Sequence, residues 1–207
     1  MVHLFNWFVK LTGWPAQLLC FRTKVCYEDK SVQSRRIKGP AIIVSNHTSV
    51  YDYAVMLFVF FTRTLRYQMA ELLFDKRFLG TFLRMLGGIY IDRNSSNMGF
   101  MNESAAVLQK GGVVGVFPEG RLPREGETPP LAFRPGAAYL SSATGVKVIP
   151  VYTNGSYFNK KRARVVIGKP MYPADHHSAD RTEKENLEAF ACEMRNKILE
   201  LRAMIDG

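Results

Sequence analysis

His47 and Asp52 bracket the stretch Ser45-Asn46-His47-Thr48-Ser49-Val50-Tyr51-Asp52, which follows directly on the apolar run Ala41-Ile42-Ile43-Val44. A histidine at the end of such a run serves as a buried structural residue, a metal ligand, or a base with an orienting partner. A straight helix does not bring positions i and i+5 together, since i+3 and i+4 are the facing positions. The pair meets only if His47 lies in a turn before a helix and Asp52 in its first turns. Ser45, Asn46, Thr48 and Ser49 are the residue types that such a turn and cap require. In that geometry the carboxylate holds one ring nitrogen protonated and leaves the other to accept a proton. No GxSxG elbow occurs in the chain. Cys20, Cys26 and Cys192 lie in the apolar N-terminal segment or in the last helical pattern, without polar partners nearby in sequence. A base without a nucleophile points to a substrate hydroxyl that is deprotonated and attacks directly.

A second group of polar residues is Phe117-Pro118-Glu119-Gly120-Arg121. Gly120 lets the chain turn closely past a ligand, and Arg121 offers a planar fork suited to phosphate oxygens. Arg93, after Ile89-Tyr90-Ile91-Asp92, supplies a second guanidinium. Glu119 suits orientation of an arginine or a substrate hydroxyl. Taken alone, this stretch is equally a tight turn with a solvated ion pair.

These residues need a frame, and the apolar pattern predicts an α/β fold with a mostly parallel central sheet flanked by helices. Strands are expected over 40–45, 66–70, 89–91, 113–117, 147–152 and 163–168, with helices over 50–61, 76–86, 102–109 and 136–143. A last long helix opens at the capping-box pattern Thr182-Glu183-Lys184-Glu185. His47 with Asp52, Asp92 with Arg93, and Glu119 with Arg121 then follow three separate strands, where parallel sheets collect ligands. The loop Leu122–Leu131, with three prolines, is read equally as a binding loop or a solvated connection.

The chain has 207 residues, 47% of them hydrophobic, which suits one packed domain and excludes a disordered tail. Its net charge of +10 points to an anionic partner. Nucleic acid is not expected, because no recognised motif or basic stripe with exposed aromatics appears; Lys160-Lys161-Arg162-Ala163-Arg164 is the one dense basic run. The three scattered cysteines suit free thiols in a reducing compartment. Residues 1–24 contain no run of about 20 apolar residues, so they are not expected to span a membrane. Broken at Gly13-Trp14-Pro15, they read as two short amphipathic helices that lie in a membrane interface or pack on the core. The catalytic domain would then occupy 25–207. Asp175, His176, His177 and Asp180 could suggest a metal hydrolase, but their spacing matches no known ligand pattern and no metal site is expected. A non-catalytic basic lipid-binding module is the other alternative to an enzyme.

His47-x4-Asp52, Gly87-Gly88-Ile89-Tyr90-Ile91-Asp92-Arg93, Phe117–Arg121 and Val148-Ile149-Pro150-Val151-Tyr152 occur in order, across roughly residues 40–170. Together they resemble the four blocks of the glycerolipid acyltransferases, most closely those acting on 1-acyl-glycerol-3-phosphate. The resemblance implies that His47 is the general base and Asp52 its orienting partner. It implies a phosphate and glycerol site from Arg93, Glu119, Gly120 and Arg121, with Pro150 near the acyl donor. It further implies transfer from acyl-CoA or acyl-carrier protein to a lysophospholipid hydroxyl, with no cofactor or metal. The protein would work on an anionic membrane surface, peripherally or monotopically, at its cytoplasmic face. One block departs from the pattern: family members often carry Thr or Ser between the glycine and the arginine, whereas Arg121 follows Gly120 directly. Either Arg121 takes the phosphate from a shifted position or Arg124 does, and another lysophospholipid or hydroxylated lipid becomes an alternative acceptor.

Overall fold

In a computed structural model, residues 1–92, 98–158 and 162–206 are described. Seven strands form one sheet in the order β1-β7-β6-β2-β5-β3-β4: β1 Lys24–Tyr27, β2 Ala41–Ser45, β3 Leu65–Ala70, β4 Ile89–Ile91, β5 Val113–Val116, β6 Val148–Thr153 and β7 Arg164–Ile167. Every pairing is parallel except β6 with β7. The central strands β2, β5 and β6 are buried along their whole length. Unbroken apolar runs are what a parallel strand covered on both faces requires.

Helices α1 Val2–Cys20, α2 Asp52–Val59, α3 Glu71–Phe74, α4 Arg77–Leu86, α5 Gly99–Gln109, α6 Gly136–Thr144 and α7 Glu183–Asp206 cover the sheet. Two apolar clusters form the main core. One centres on Ile43, Met56, Phe60 and Tyr67, the other on Val44, Val114, Leu140 and Met194. Strand β1 is absent from the expected elements. It is a short edge strand whose Lys24-Val25-Cys26-Tyr27 is only partly buried, so it carries no run or alternation to detect.

The expected two N-terminal helices are one: α1 passes through Pro15 without ending. A proline deep in a helix removes one backbone bond and crowds the preceding turn. Here α1 is held from outside, because Lys10 Nζ donates to the carbonyls of Phe61 at 3.0 Å and Arg63 at 2.6 Å, beyond the end of α2. Burial lowers the Lys10 pKa to about 8. The polarity of α1 is reversed for a surface helix. Asn6, Lys10 and Gln17 are buried against the domain, while Leu4, Phe8, Leu11, Leu18 and Leu19 stand more than half exposed. Phe5 meets Phe82 of α4 edge-on at 5.6 Å, and Phe78 and Met85 extend the apolar surface along α4. No helix among the described residues is long and apolar enough to cross a membrane.

Candidate active site

The turn Asn46–Tyr51 leaves the carboxyl end of β2 and delivers Asp52 as the first residue of α2. Asn46 anchors the turn to β6, accepting from Thr153 N at 2.8 Å and donating to Thr153 O at 2.9 Å. His47 Nδ1 and Asp52 Oδ2 are 2.9 Å apart, so the geometry that a spacing of five demands is present. Asp52 is fully buried and collects further donors. Thr48 N at 2.6 Å and Ser49 N at 2.9 Å reach Oδ2, while Thr48 Oγ1 at 3.0 Å and Tyr157 O–H at 2.6 Å reach Oδ1. Burial, then the Asp52 charge, raises the Tyr157 pKa, which keeps this hydroxyl a donor. An acceptor-only carboxylate on Nδ1 places the ring proton there and leaves Nε2 with a lone pair.

Two aromatic rings set the plane of the imidazole. His47 stacks on Phe117 with centroids 4.2 Å apart and planes 11° from parallel, and Phe117 lies 4.9 Å from Tyr67. Tyr67 is fully buried and crosses β5 at Gly115, where an added Cβ would come within 2.2 Å of its ring. Phe117, the residue after β5, thus serves as a shelf for the histidine.

Glu119 lines neither of the described cavities. It is buried and ties two backbone segments together, accepting from His47 N at 2.8 Å and from Leu131 N at 2.8 Å. The far end of the 122–131 loop is clamped as well, since Arg195 of α7 donates to the carbonyls of Pro130 and Leu131. The loop therefore fixes Glu119, and through it the backbone of His47. Burial pushes the Glu119 carboxyl above its usual range, against the pull of the two N–H donors. The folded protein holds this proton to higher pH than the unfolded chain does. The stability linked to it is complete below pH 4.5 and is lost as pH rises through the raised value. From pH 4.5 upward, the stability of the wild type relative to Glu119→Gln should fall as pH rises. Urea unfolding of both proteins across that range checks this, and a constant difference would contradict it.

A cavity of about 470 Å³ opens beside His47 at the carboxyl ends of β3, β4 and β5. His47, Pro118, Gly120 and Arg134 form its polar mouth, and Met69, Leu73, Leu79, Leu83, Phe100 and Met101 line its apolar interior. Gly120 has φ +71°, a conformation that favours glycine, and an added Cβ would come within 3.1 Å of the flexible Arg134 side chain.

Arg121 does not line this cavity. Its guanidinium is paired with Glu127 through two bonds of 2.6 and 2.7 Å, which hold the Glu127 pKa down at about 2. Arg124 is exposed and also lies outside the lining. Arg134 does line it and makes no ion pair among the described residues. It was not singled out in the sequence because it follows no strand: it sits at the end of the long loop, just before α6. Its one textual signal is a cation immediately before Pro135-Gly136 at a helix start. Arg93 lies outside the described residues. Pro150 is buried within β6 and lines no described cavity, although Tyr152 two residues on borders a polar cleft. His176 stacks on Phe190 and pairs with Glu193 of α7.

An oriented base with a free lone pair, at the mouth of an apolar cavity with a cation beside it, can deprotonate a hydroxyl on an amphiphile. A profile of the Acyltransferase family matches residues 24–154, from β1 to just past β6. The chain belongs to that family. A 1-acyl-sn-glycerol-3-phosphate acyltransferase of Bacillus subtilis is 25% identical over 170 residues, covering 80% of this chain and 82% of the relative. A chloroplastic enzyme of the same description from Arabidopsis thaliana is 27% identical over 145 residues, and the beta form from Homo sapiens is 26% identical over 162. The matched regions are 40% and 56% of those two longer proteins. The crystal structure of the 1-acyl-sn-glycerophosphate acyltransferase of Thermotoga maritima superposes with a TM-score of 0.68 at 23% identity, covering 96% of this chain and 80% of that one. The acyltransferase thus has the expected α/β fold.

Proposed function

We propose that this acyltransferase moves an acyl group from a thioester donor, acyl-CoA or acyl-carrier protein, to the free hydroxyl of 1-acyl-glycerol-3-phosphate, giving phosphatidic acid. The observation that carries this reading is the His47–Asp52 pair at the mouth of an apolar cavity that also holds Arg134. His47 Nε2 takes the proton from the acceptor hydroxyl. The freed oxygen forms a bond to the thioester carbonyl carbon, and the carbon–sulfur bond breaks as the tetrahedral intermediate collapses. The leaving thiolate recovers the proton from the imidazolium, which Asp52 stabilises throughout. A hydrocarbon chain fits the interior formed by Leu73, Leu79 and Leu83. No step requires a cofactor, and no protein nucleophile is used.

The acceptor phosphate sits against Arg134, with Gly120 allowing its close approach. Arg121 supports the site from behind by pinning Glu127 and Leu122 in the loop. The reversed polarity of α1, whose one charged side chain, Lys10, is buried, supports docking on a membrane through an apolar face that Phe78, Phe82 and Met85 extend. The net charge of +10 favours an anionic lipid surface, and three free thiols favour the cytoplasmic face.

The test is an acceptor panel in mixed micelles: 1-acyl-glycerol-3-phosphate, its choline and ethanolamine diesters, and monoacylglycerol. The phosphate monoester should be strongly preferred. Arg134→Ala should raise its KM by about tenfold or more, the weight of one charge-assisted contact, and leave the KM for monoacylglycerol unchanged. Equal use of all four acceptors would remove the assigned headgroup.

A further inference from the structure

A second cleft, of about 780 Å³, lies on the opposite flank of the His47 turn and has no part in the steps above. Its placement follows from the strand directions. Strand β6 runs parallel to β2, so Tyr152 and Asn154 emerge beside Asn46 and His47. Strand β7 returns antiparallel to β6 and β1 runs alongside β7, so their first residues, Arg164 and Lys24, stand at that same end of the sheet. Thr128 and Pro129 close the third side from the long loop, and Arg202 of α7 closes the fourth. The described residues that line the cleft include four cations, Lys24, Arg162, Arg164 and Arg202, and no carboxylate.

Two of the cations have structural duties: Arg164 donates to Ile205 O at 2.8 Å and Arg202 to Pro129 O at 3.0 Å. These bonds hold the two guanidinium groups in place at the cleft. Lys24 and Arg162 are exposed and make no ion pair among the described residues. Four positive charges converging on a polar, nucleotide-sized recess favour a ligand with several phosphate charges.

We infer that this cleft binds the phosphates of the adenosine nucleotide in acyl-CoA, so that the two substrates approach His47 from opposite sides. The inference rests on the acyl-transfer reading and specifies its donor. Thr48 is the shared wall: it lines the cleft, while its backbone N and its hydroxyl hold Asp52 beside His47. A donor lying across Thr48 sets its 3′-phosphate and diphosphate against the cations and its thioester at the imidazole, with its acyl chain passing into the apolar cavity. The acceptor phosphate does not compete for the cleft. Its hydroxyl must reach Nε2 on the cavity side, where Arg134 stands.

The test is calorimetric binding of unacylated coenzyme A and of 3′-dephospho-coenzyme A to the whole protein in detergent. The wild type, Arg162→Ala and the Lys24→Ala/Arg162→Ala double variant would be compared. The wild type should prefer coenzyme A, and the double variant should bind it at least about tenfold more weakly with that preference lost. In turnover, the KM for palmitoyl-CoA should rise in parallel while the KM for 1-acyl-glycerol-3-phosphate stays constant. Unchanged coenzyme A binding in the double variant would overturn the inference. So would a rise in the acceptor KM alone, which would assign the cleft to the acceptor, or a defect seen only with palmitoyl-acyl carrier protein, which would make it a protein-docking face. Binding is read without turnover, so a wild type that binds coenzyme A in the cleft yet transfers no acyl group would refute the function and leave the site standing.

Discussion

Asp52→Asn should fold, and should transfer acyl groups about 10²–10⁴-fold more slowly than the wild type. The carboxylate takes five donors, three on Oδ2 and two on Oδ1. The three on Oδ2 are N–H groups, two of them backbone, and none of these can be turned away. The two on Oδ1 are hydroxyls of Thr48 and Tyr157, which can rotate to accept. An asparagine therefore keeps its oxygen at the Oδ2 position and turns its amide toward the hydroxyls, at a stability cost of about 1–3 kcal/mol. The charge that stabilises the imidazolium is gone, and with it most of the rate. Asp52→Ala takes the acceptor from all five donors in a buried site, although the Tyr157 hydroxyl keeps Thr153 Oγ1 as a partner, and should unfold far more readily. Urea unfolding and the rate of thiol release from palmitoyl-CoA check both variants. Near-normal turnover in Asp52→Asn would make the carboxylate a structural residue only.

How much of this site was legible depends on whether the geometry is carried by local spacing or by distant segments. The His47–Asp52 pairing follows from a turn chemistry written within eight residues, and the strand ends that gather the site follow from unbroken apolar runs. Tyr157 and Leu131 are a different case. They reach the Asp52 and Glu119 carboxylates from loops 105 and 12 residues away, so no spacing rule connects them. The same holds for Arg134 and for the cations of the polar cleft, which come together only once β1, β7 and α7 are placed. Strand β1 escaped for want of burial, and the continuity of α1 through Pro15 depends on three carbonyls near the end of α2 that satisfy Lys10. Arg121 has a partner close in sequence. Its motif suggests a ligand contact, yet Glu127, six residues on, takes both arms of its fork.

Replacing His47 itself should cost at least as much as Asp52→Asn, because no other described group at the cavity mouth can accept the acceptor's proton. Arg134 is a permanent cation, and Glu119 already spends both its oxygens on backbone N–H groups. His47→Ala should lower the rate about 10²–10⁴-fold, the range for losing a general base. The fold should persist, since the side chain is at the surface of the cavity and its backbone N–H to Glu119 survives. The most direct measurement is phosphatidic acid formation from radiolabelled palmitoyl-CoA and 1-acyl-glycerol-3-phosphate, with wild type and His47→Ala side by side at equal coenzyme A binding. Product from the wild type and almost none from the variant is the predicted result. Equal product from both would contradict His47 as the base, and with it the direct transfer built on it.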